Sequence, residues 1–266
     1  MRALALILVV LTATSADAAE RRLSFVSCPI VRDTKEVPCW ITRYRGETYY
    51  LGIQQDIGAA FYPPQLKHRI LVEGVPTAGP RICGGIVMKP VAVSPLPEID
   101  KRCDQILPGG AYRIDFAPRG AGPNRGGVPA TDPARSGPPT RSQAPPEGKD
   151  PKTFTVRFDF DNDFMTARNT AQVSAAARYA RANSGAQVRV MGHRATSLLS
   201  SGERLVEKTG IGQDRALKVA QALREIGAPA ANLEVGWNEA SDPADGVSDF
   251  ENRRVDIVIS PRPDAR

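Results

Sequence analysis

The chain has 266 residues, of which 41% are apolar and 24% are charged, and these proportions are typical of a globular protein. Only one long apolar run occurs, near the N-terminus, which excludes a polytopic helical membrane protein. The net charge is +6, but residues 20–116 and 117–152 each carry +3 and residues 153–266 are neutral. Nucleic-acid binding needs a dense cationic surface, so we expect no nucleic-acid partner.

The N-terminus is predicted to be an export signal. Met1-Arg2 is a short basic start, residues 3–13 are apolar, and Ala16-Asp17-Ala18 fits the pattern that signal peptidase reads. Residues 1–19 are therefore a predicted signal peptide, cleaved after Ala18 or Ala19. The alternative is an uncleaved anchor helix. After cleavage the mature protein is expected in an oxidising compartment.

All four cysteines precede residue 117, and in an exported domain they predict two disulfides. Three connectivities are available. Pairing of near neighbours favours Cys28–Cys39 and Cys83–Cys103. A zinc site is disfavoured because the chain has no C-x-x-C sequence and only two histidines.

Residues 20–116 are predicted to form a small β-rich domain, and residues 117–152 a linker. An OB-like barrel is one candidate for the domain, because a strand broken by Gly bends where a barrel turns. Between residues 118 and 151 there are nine Pro and six Gly, which predicts a disordered tether joining two separate modules. The strand candidates are apolar runs between Pro and Gly, at 48–53, 69–75, 82–88 and 91–93.

Residues 153–260 are predicted to fold as β-α-β-α-β-β, with two helices on one face of a mixed sheet. Asp163 is the predicted cap of the first helix, which ends near residues 183–185. The second helix is predicted at 214–226, and residues 261–266 form a C-terminal tail. The fold class is therefore α+β. The predicted strands, from alternating apolar and polar residues, are 154–161, 187–193, 233–237 and 254–259.

These C-terminal residues resemble the OmpA-like C-terminal domain family, which binds peptidoglycan in the periplasm of Gram-negative bacteria. The resemblance covers residues 153–260 and implies a periplasmic, or outer-membrane-associated, location. It rests on four short pieces in the family's order, which are Phe158-Asp159-Phe160-Asp161, Gly192-His193, Asp214-Arg215-Ala216 with Val219, and Asn252-Arg253-Arg254-Val255.

The resemblance implies a site for the free end of diaminopimelate in the wall's stem peptide. In the family an arginine at the start of the second helix holds the ligand carboxylate, where the helix N-terminus adds amide donors. Arg215 matches it, and the alternative for this residue is an ion pair within the domain, for instance with Asp161. The other matching positions are Phe160, Asp161, His193, Asn252 and Arg253. For Arg253 the alternative is a brace of the fold, and for His193 a hydrogen-bonded loop residue.

The sequence departs from the family at one position of this site. Ala195 stands where the family has an aspartate that pairs with the ligand ammonium. Loss of a charge-assisted contact of this kind weakens binding by about 1.5–3 kcal/mol. The segment that follows is longer than in the family, and we expect that it brings Glu203 or Glu207 back as a substitute acid.

No catalytic motif stands out in the sequence. There is no triad arrangement, no P-loop, no dinucleotide fingerprint and no metal motif, so we expect a protein that is not an enzyme, with no cofactor and no metal. The leading hypothesis is a periplasmic protein that binds peptidoglycan and tethers its N-terminal domain to the cell wall. One alternative keeps the fold but not the ligand, giving an envelope protein-interaction or structural module. A third hypothesis gives the N-terminal domain the main task, with a glycan, a lipid head group or an envelope protein as its partner.

Overall fold

The computed structural model describes residues 22–54, 64–109, 150–183, 185–228 and 232–261. The predicted signal peptide, most of the predicted linker and nearly all of the predicted tail lie outside these ranges. Of the helices in the described ranges, none has both the length and the apolar character that a membrane crossing requires.

The N-terminal half is one curled seven-stranded sheet, as the β-rich prediction expected. The strand order is β1-β5-β6-β4-β3-β2-β7. Neighbours are antiparallel except for β4 with β6 and β2 with β7. Seven strands exceed the five of an OB barrel. The strands are β1 (Leu23–Ser27), β2 (Pro29–Arg32), β3 (Cys39–Tyr44), β4 (Glu47–Ile53), β5 (His68–Pro76), β6 (Ile86–Ile99) and β7 (Gln105–Leu107).

Two disulfides cross-link this sheet, but the pairing of the cysteines differs from the prediction. Cys28 is bonded to Cys103, with the Cα atoms 4.9 Å apart, and Cys39 to Cys83, with 6.8 Å between the Cα atoms. The preference for near neighbours was wrong because sheet order brings distant segments together. Cys28 precedes β2 and Cys103 precedes β7, and these two strands pair in parallel.

The C-terminal half is a mixed five-stranded sheet with the order β10-β9-β12-β8, and β11 also pairs with β9. The β9–β11 pair is parallel and the other pairs are antiparallel. This confirms the predicted mixed sheet. The elements are β8 (Lys152–Arg157), α1 (Ala167–Ala182), β9 (Gln187–Leu198), β10 (Arg204–Val206), α2 (Ile211–Glu225), β11 (Leu233–Asp242), α3 (Asp249–Asn252) and β12 (Arg254–Ser260).

The start of α1 differs from the prediction. Thr166, not Asp163, is the N-cap, and its side chain accepts a hydrogen bond from the Asn169 N–H. Asp163 instead forms an exposed ion pair with Lys218 of α2, at 2.7 Å. The helix therefore begins three residues later than its predicted cap implied.

Small residues let both helices pack closely on the sheet. The buried face of α1 includes Val173, Ala176, Ala177 and Ala180. On β9, a Cβ atom at Gly192 would lie 2.0 Å from the Gly212 carbonyl oxygen. A side chain at residue 192 would therefore push away the first turn of α2, which carries Arg215.

The two halves of the chain pack directly against each other. Leu71 and Leu96 of the N-terminal sheet form one buried cluster with Phe160 and Leu199 of the C-terminal half. The Phe160 N–H donates to Ser94 Oγ at 2.9 Å. The expectation of two separate modules is therefore wrong for the described residues.

A buried ion pair also crosses this interface. Arg253 donates through Nη1 to Glu73 Oε1 at 3.2 Å and through Nη2 to Glu73 Oε2. Both side chains are almost fully buried, and Ser197 Oγ accepts a further bond from Arg253 Nη1 at 2.9 Å. Burial alone would lower the pKa of Arg253, but the Glu73 carboxylate raises this pKa above its ordinary value.

Candidate functional site

Arg215 lies in the first turns of α2, but its side chain is completely buried. All five of its N–H donors have acceptors within the chain. Nε donates to the Asn162 carbonyl at 2.9 Å. Nη1 and Nη2 donate to the carbonyls of His193 and Asp159, at 3.1 and 2.8 Å. The remaining two donors bind one carboxylate, that of Glu207.

Glu207 fills the position at which an external carboxylate would meet Arg215. Its Oε2 accepts from Arg215 Nη1 at 2.9 Å, and its Oε1 accepts from Nη2. The backbone N–H groups of Asp161 and Ala195 donate to the same carboxylate at 2.9 and 2.8 Å. The Glu207 side chain has no exposed surface. The expected opening beside Arg215 is therefore absent, and so is the suggested Arg215–Asp161 ion pair.

Of the two acids that were expected to return to the site, Glu207 does so, but its partner is not the expected one. Glu207 follows β10 and returns to the site, while Glu203 stays exposed. Glu207 does not replace the missing acid at Ala195 as a partner for an ammonium group. It binds the guanidinium instead, in the place that the resemblance assigns to the ligand carboxylate.

Asp161 shapes the loop beside this ion pair. Its φ is +50°, in the left-handed region, and this turn presents its N–H to Glu207. Its Oδ1 accepts the Lys208 N–H at 2.6 Å. Burial is the main cause that raises the pKa of the Asp161 carboxyl, and the Glu207 charge adds to it. Asp161 is thus committed to holding the segment that carries Glu207.

Phe160 and Arg253 lie in the contact between the two halves rather than among the partners of Arg215. Phe160 is buried in the apolar cluster between the two halves, and Arg253 forms the Glu73 ion pair. Their role as contacts of a stem peptide therefore stays a prediction, and the alternative of Arg253 as a brace describes its contacts with Glu73.

His193 and Asn252 line a separate polar cluster around Arg254. The His193 ring lies between two carboxylates, with Nδ1 3.6 Å from Asp242 and Nε2 3.6 Å from Asp256. Arg254 bonds to both carboxylates, at 3.1 and 3.0 Å, and to Asn252 Oδ1 at 3.2 Å. Burial is the largest cause that lowers the pKa of His193, followed by the Arg254 charge. The hydrogen bond between His193 and Arg215 is made by the backbone carbonyl of His193.

Glu73 was not among the residues predicted from the sequence. A signal for it existed, because Glu73 stands within the apolar run Ile70-Leu71-Val72-Glu73-Gly74-Val75. A charge inside a buried strand needs a partner. Its partner Arg253 was named for another role. Within the described ranges, no three His, Cys, Asp or Glu side chains come together in a way that suits a metal ion.

No protein-family model matches the chain, and no curated protein sequence matches it. Solved structures do match its C-terminal half. The OmpA-like domain of FopA1 from Francisella tularensis is 16% identical, with 44% of this chain and 77% of that chain covered and a TM-score of 0.34. The peptidoglycan-associated lipoprotein from Burkholderia pseudomallei is 24% identical, with coverages of 40% and 89% and a TM-score of 0.33. The periplasmic domain of Helicobacter pylori MotB is 16% identical, with coverages of 44% and 80% and a TM-score of 0.35.

Proposed function

We propose that this chain is a non-catalytic envelope protein whose C-terminal domain is a structural or protein-interaction module. In this proposal the site that resembles a peptidoglycan site is closed by the protein's own Glu207. The observation that carries the proposal is the buried carboxylate of Glu207, held by Arg215 and by the N–H groups of Asp161 and Ala195.

The envelope location rests on the disulfides and the sequence. Two disulfides with no free cysteine are typical of an oxidising compartment, and the N-terminal residues carry the pattern of an export signal. The motif resemblance adds the expectation of a Gram-negative periplasm. The direct packing of the two halves makes the N-terminal sheet part of the same structural unit.

A stem peptide would have to expel Glu207 before its carboxylate reached Arg215. Glu207 is tethered by β10 on one side and by α2 on the other, so its effective concentration at the site is high. Its departure would also break two backbone hydrogen bonds to its carboxylate. An external carboxylate makes the same contacts but loses translational freedom on binding. The internal ligand is therefore favoured over a free one.

Wall binding with Glu207 displaced is the second candidate function. One observation favours it, because the guanidinium of Arg215 and the two N–H groups form a complete receptor for a carboxylate. Displacement of Glu207 would expose that receptor to a stem-peptide ligand, and the N-terminal half would then be tethered to the wall.

Retention of the full chain on diaminopimelate-type sacculi tests the two functions. We expect no retention of the wild type above the level of an unrelated protein. Glu207→Gln keeps the side-chain shape but weakens the hold on Arg215, and Glu203→Gln on the same segment is the matched control because Glu203 is exposed. Retention of the wild type would contradict the proposal. An increase in Glu207→Gln alone would establish that the receptor works once it is opened.

A further inference from the structure

A cleft of about 400 Å³ lies between the two halves, and Arg215 is not among the residues that line it. One wall is the segment Pro90, Val91 and Ala92 of β6. The other walls come from β8, α1 and α3 of the C-terminal half. Cavities of this size accept small molecules or short peptide segments. The cleft exists only because the halves are docked, so neither half provides it alone.

Arg253 lines this cleft with an unused donor. Its Nη groups bind Glu73 and Ser197, but its Nε–H is buried and finds no acceptor among the residues that the structure describes. The side chain is 1% exposed. A buried donor without an acceptor carries a free-energy penalty, which a ligand oxygen in the cleft would remove.

The N-terminus of α1 brings further positive potential to the cleft. Arg168 and Asn169, in its first turn, line the cavity. This turn holds no acidic residue, so the partial positive charge of the helix end is not neutralised by its own side chains. Arg168 is exposed and adds a full charge at the same place.

The other lining residues restrict the ligand to a single negative charge on an apolar body. Arg157 Nη2 lies 4.0 Å from Glu251 Oε2. Both residues line the cleft, and so does Asp159. The positive charge of Arg253 is offset by Glu73. The carboxylates of Asp159 and Glu251 would repel a doubly charged oxyanion more strongly than a singly charged one. Apolar surface is supplied by Val91, Ala92, Phe158 and Phe250.

An edge strand contributes two residues to the cleft. β8 pairs with β12 alone among the described strands, and its residues Thr155 and Arg157 line the cavity. An edge strand presents unpaired backbone groups that an extended peptide can bond. This feature favours a peptide over a compact small molecule.

We propose that the cleft binds a short, extended, apolar peptide through its C-terminal carboxylate. The carboxylate accepts the Arg253 Nε–H and is attracted by Arg168 and the N-terminus of α1. The apolar side chains pack on Phe250 and Val91, and the peptide backbone follows the edge of β8. This proposal goes beyond the role proposed above and does not depend on whether the chain is retained on sacculi.

The test titrates acetyl-Ala-Val-Val with a free carboxylate into the full chain and follows backbone amide shifts by NMR. The same peptide as a C-terminal amide is the ligand control, and inorganic phosphate is the competitor. We expect the free acid to shift the amides of residues 168–172 and to bind about tenfold more tightly than the amide. Phosphate should not displace the peptide.

Arg168→Glu should weaken binding of the free acid by about tenfold or more. This change places an acid near a helix N-terminus, which favours the helix, so loss of folding does not confuse the result. Arg178→Glu on the same helix is the matched control, because Arg178 is exposed and does not line the cleft, and it should leave binding within twofold. Equal binding of acid and amide, displacement by phosphate, or an unchanged Arg168→Glu variant would each overturn the proposal.

Discussion

Glu73 and Arg253 are 180 residues apart in the sequence and form a buried ion pair between the two halves of the protein. Glu73 lies on β5 of the N-terminal sheet, and Arg253 immediately precedes β12 of the C-terminal sheet. Leu71, two residues before Glu73 on β5, belongs to the buried apolar cluster with Leu96, Phe160 and Leu199. The interface is therefore specified by charge as well as by apolar packing.

Glu73→Ala should destabilise the protein by about 3–5 kcal/mol, because it leaves the Arg253 guanidinium buried without its counter-charge. Urea unfolding of the full chain measures this change. Glu47→Ala is the control, since the Glu47–Arg81 pair is half-exposed and contributes about 0–1 kcal/mol. Equal effects of the two substitutions would mean that the Glu73 pair does not hold the interface.

Glu207→Ala should also cost about 3–5 kcal/mol, and added acetate should restore part of the loss. Acetate supplies a carboxylate for Arg215 and the two N–H groups, so it binds the folded variant and raises its melting temperature. Differential scanning calorimetry with acetate and with chloride at equal ionic strength separates this effect from salt. Acetate should not change the melting temperature of the wild type or of Glu203→Ala. A melting temperature of Glu207→Ala that is also unchanged by acetate would show that the carboxylate pocket does not persist without Glu207.

The two halves should stay together after the chain is cut between them. A protease site inserted between Gly126 and Gly127 allows the connection to be cleaved in the folded protein. We expect both fragments to co-elute in size-exclusion chromatography because of the ion pair and the apolar cluster. Leu96→Asp places a charge in that cluster and should release the fragments, and separation without this change would contradict the docked arrangement.

Peptide mapping without reduction should recover Cys28–Cys103 and Cys39–Cys83. The bridged residues are 75 and 44 positions apart, so each bridge should stabilise the fold by about 4 kcal/mol through the unfolded chain. Double Cys→Ser variants of each pair, followed by urea unfolding, measure the two contributions. Fragments that join Cys28 to Cys39 would contradict the sheet order.

Stability should fall when the pH is lowered through the titration range of His193. The pKa of His193 is below its ordinary value of 6.5 in the folded state, mainly because of burial. The unfolded chain therefore binds a proton first, so this contribution is full above pH 6.5 and is lost as the pH falls toward the folded pKa. His193→Asn should flatten the dependence of the unfolding free energy over this range, and an unchanged slope would assign the dependence to other groups.

Local patterns predicted most of the elements. Alternation and short apolar runs located β4, β5, β6, β8, β9, β11 and β12, and the predicted helix ends located α1 and α2. These signals work because a strand or helix shows its own buried face in the spacing of its residues. The elements that were not predicted are β1, β2, β3, β7, β10 and α3. Of these, β2, β7, β10 and α3 have only three or four residues, which carry too little periodicity.

The candidate site was predicted in part. The sequence named Arg215, Asp161 and Glu207, and the tertiary structure brought all three together. The sequence did not reveal that the Glu207 carboxylate would accept hydrogen bonds from Arg215, because that contact depends on how the segment after β9 folds back through β10. The sequence therefore predicted which residues belong to the site but not which of them bind each other.

The sequence by itself determined most of the elements, the presence of two disulfides and the choice of the residues around Arg215. Only the tertiary structure decided the disulfide partners, the closure of the Arg215 site by Glu207 and the docking of the two halves through Glu73 and Arg253. The physical reason is the distance along the sequence over which each interaction acts. Periodicity and capping act between neighbours along the chain, whereas ion pairs, disulfides and apolar contacts form between groups that meet only after the sheets have ordered their strands.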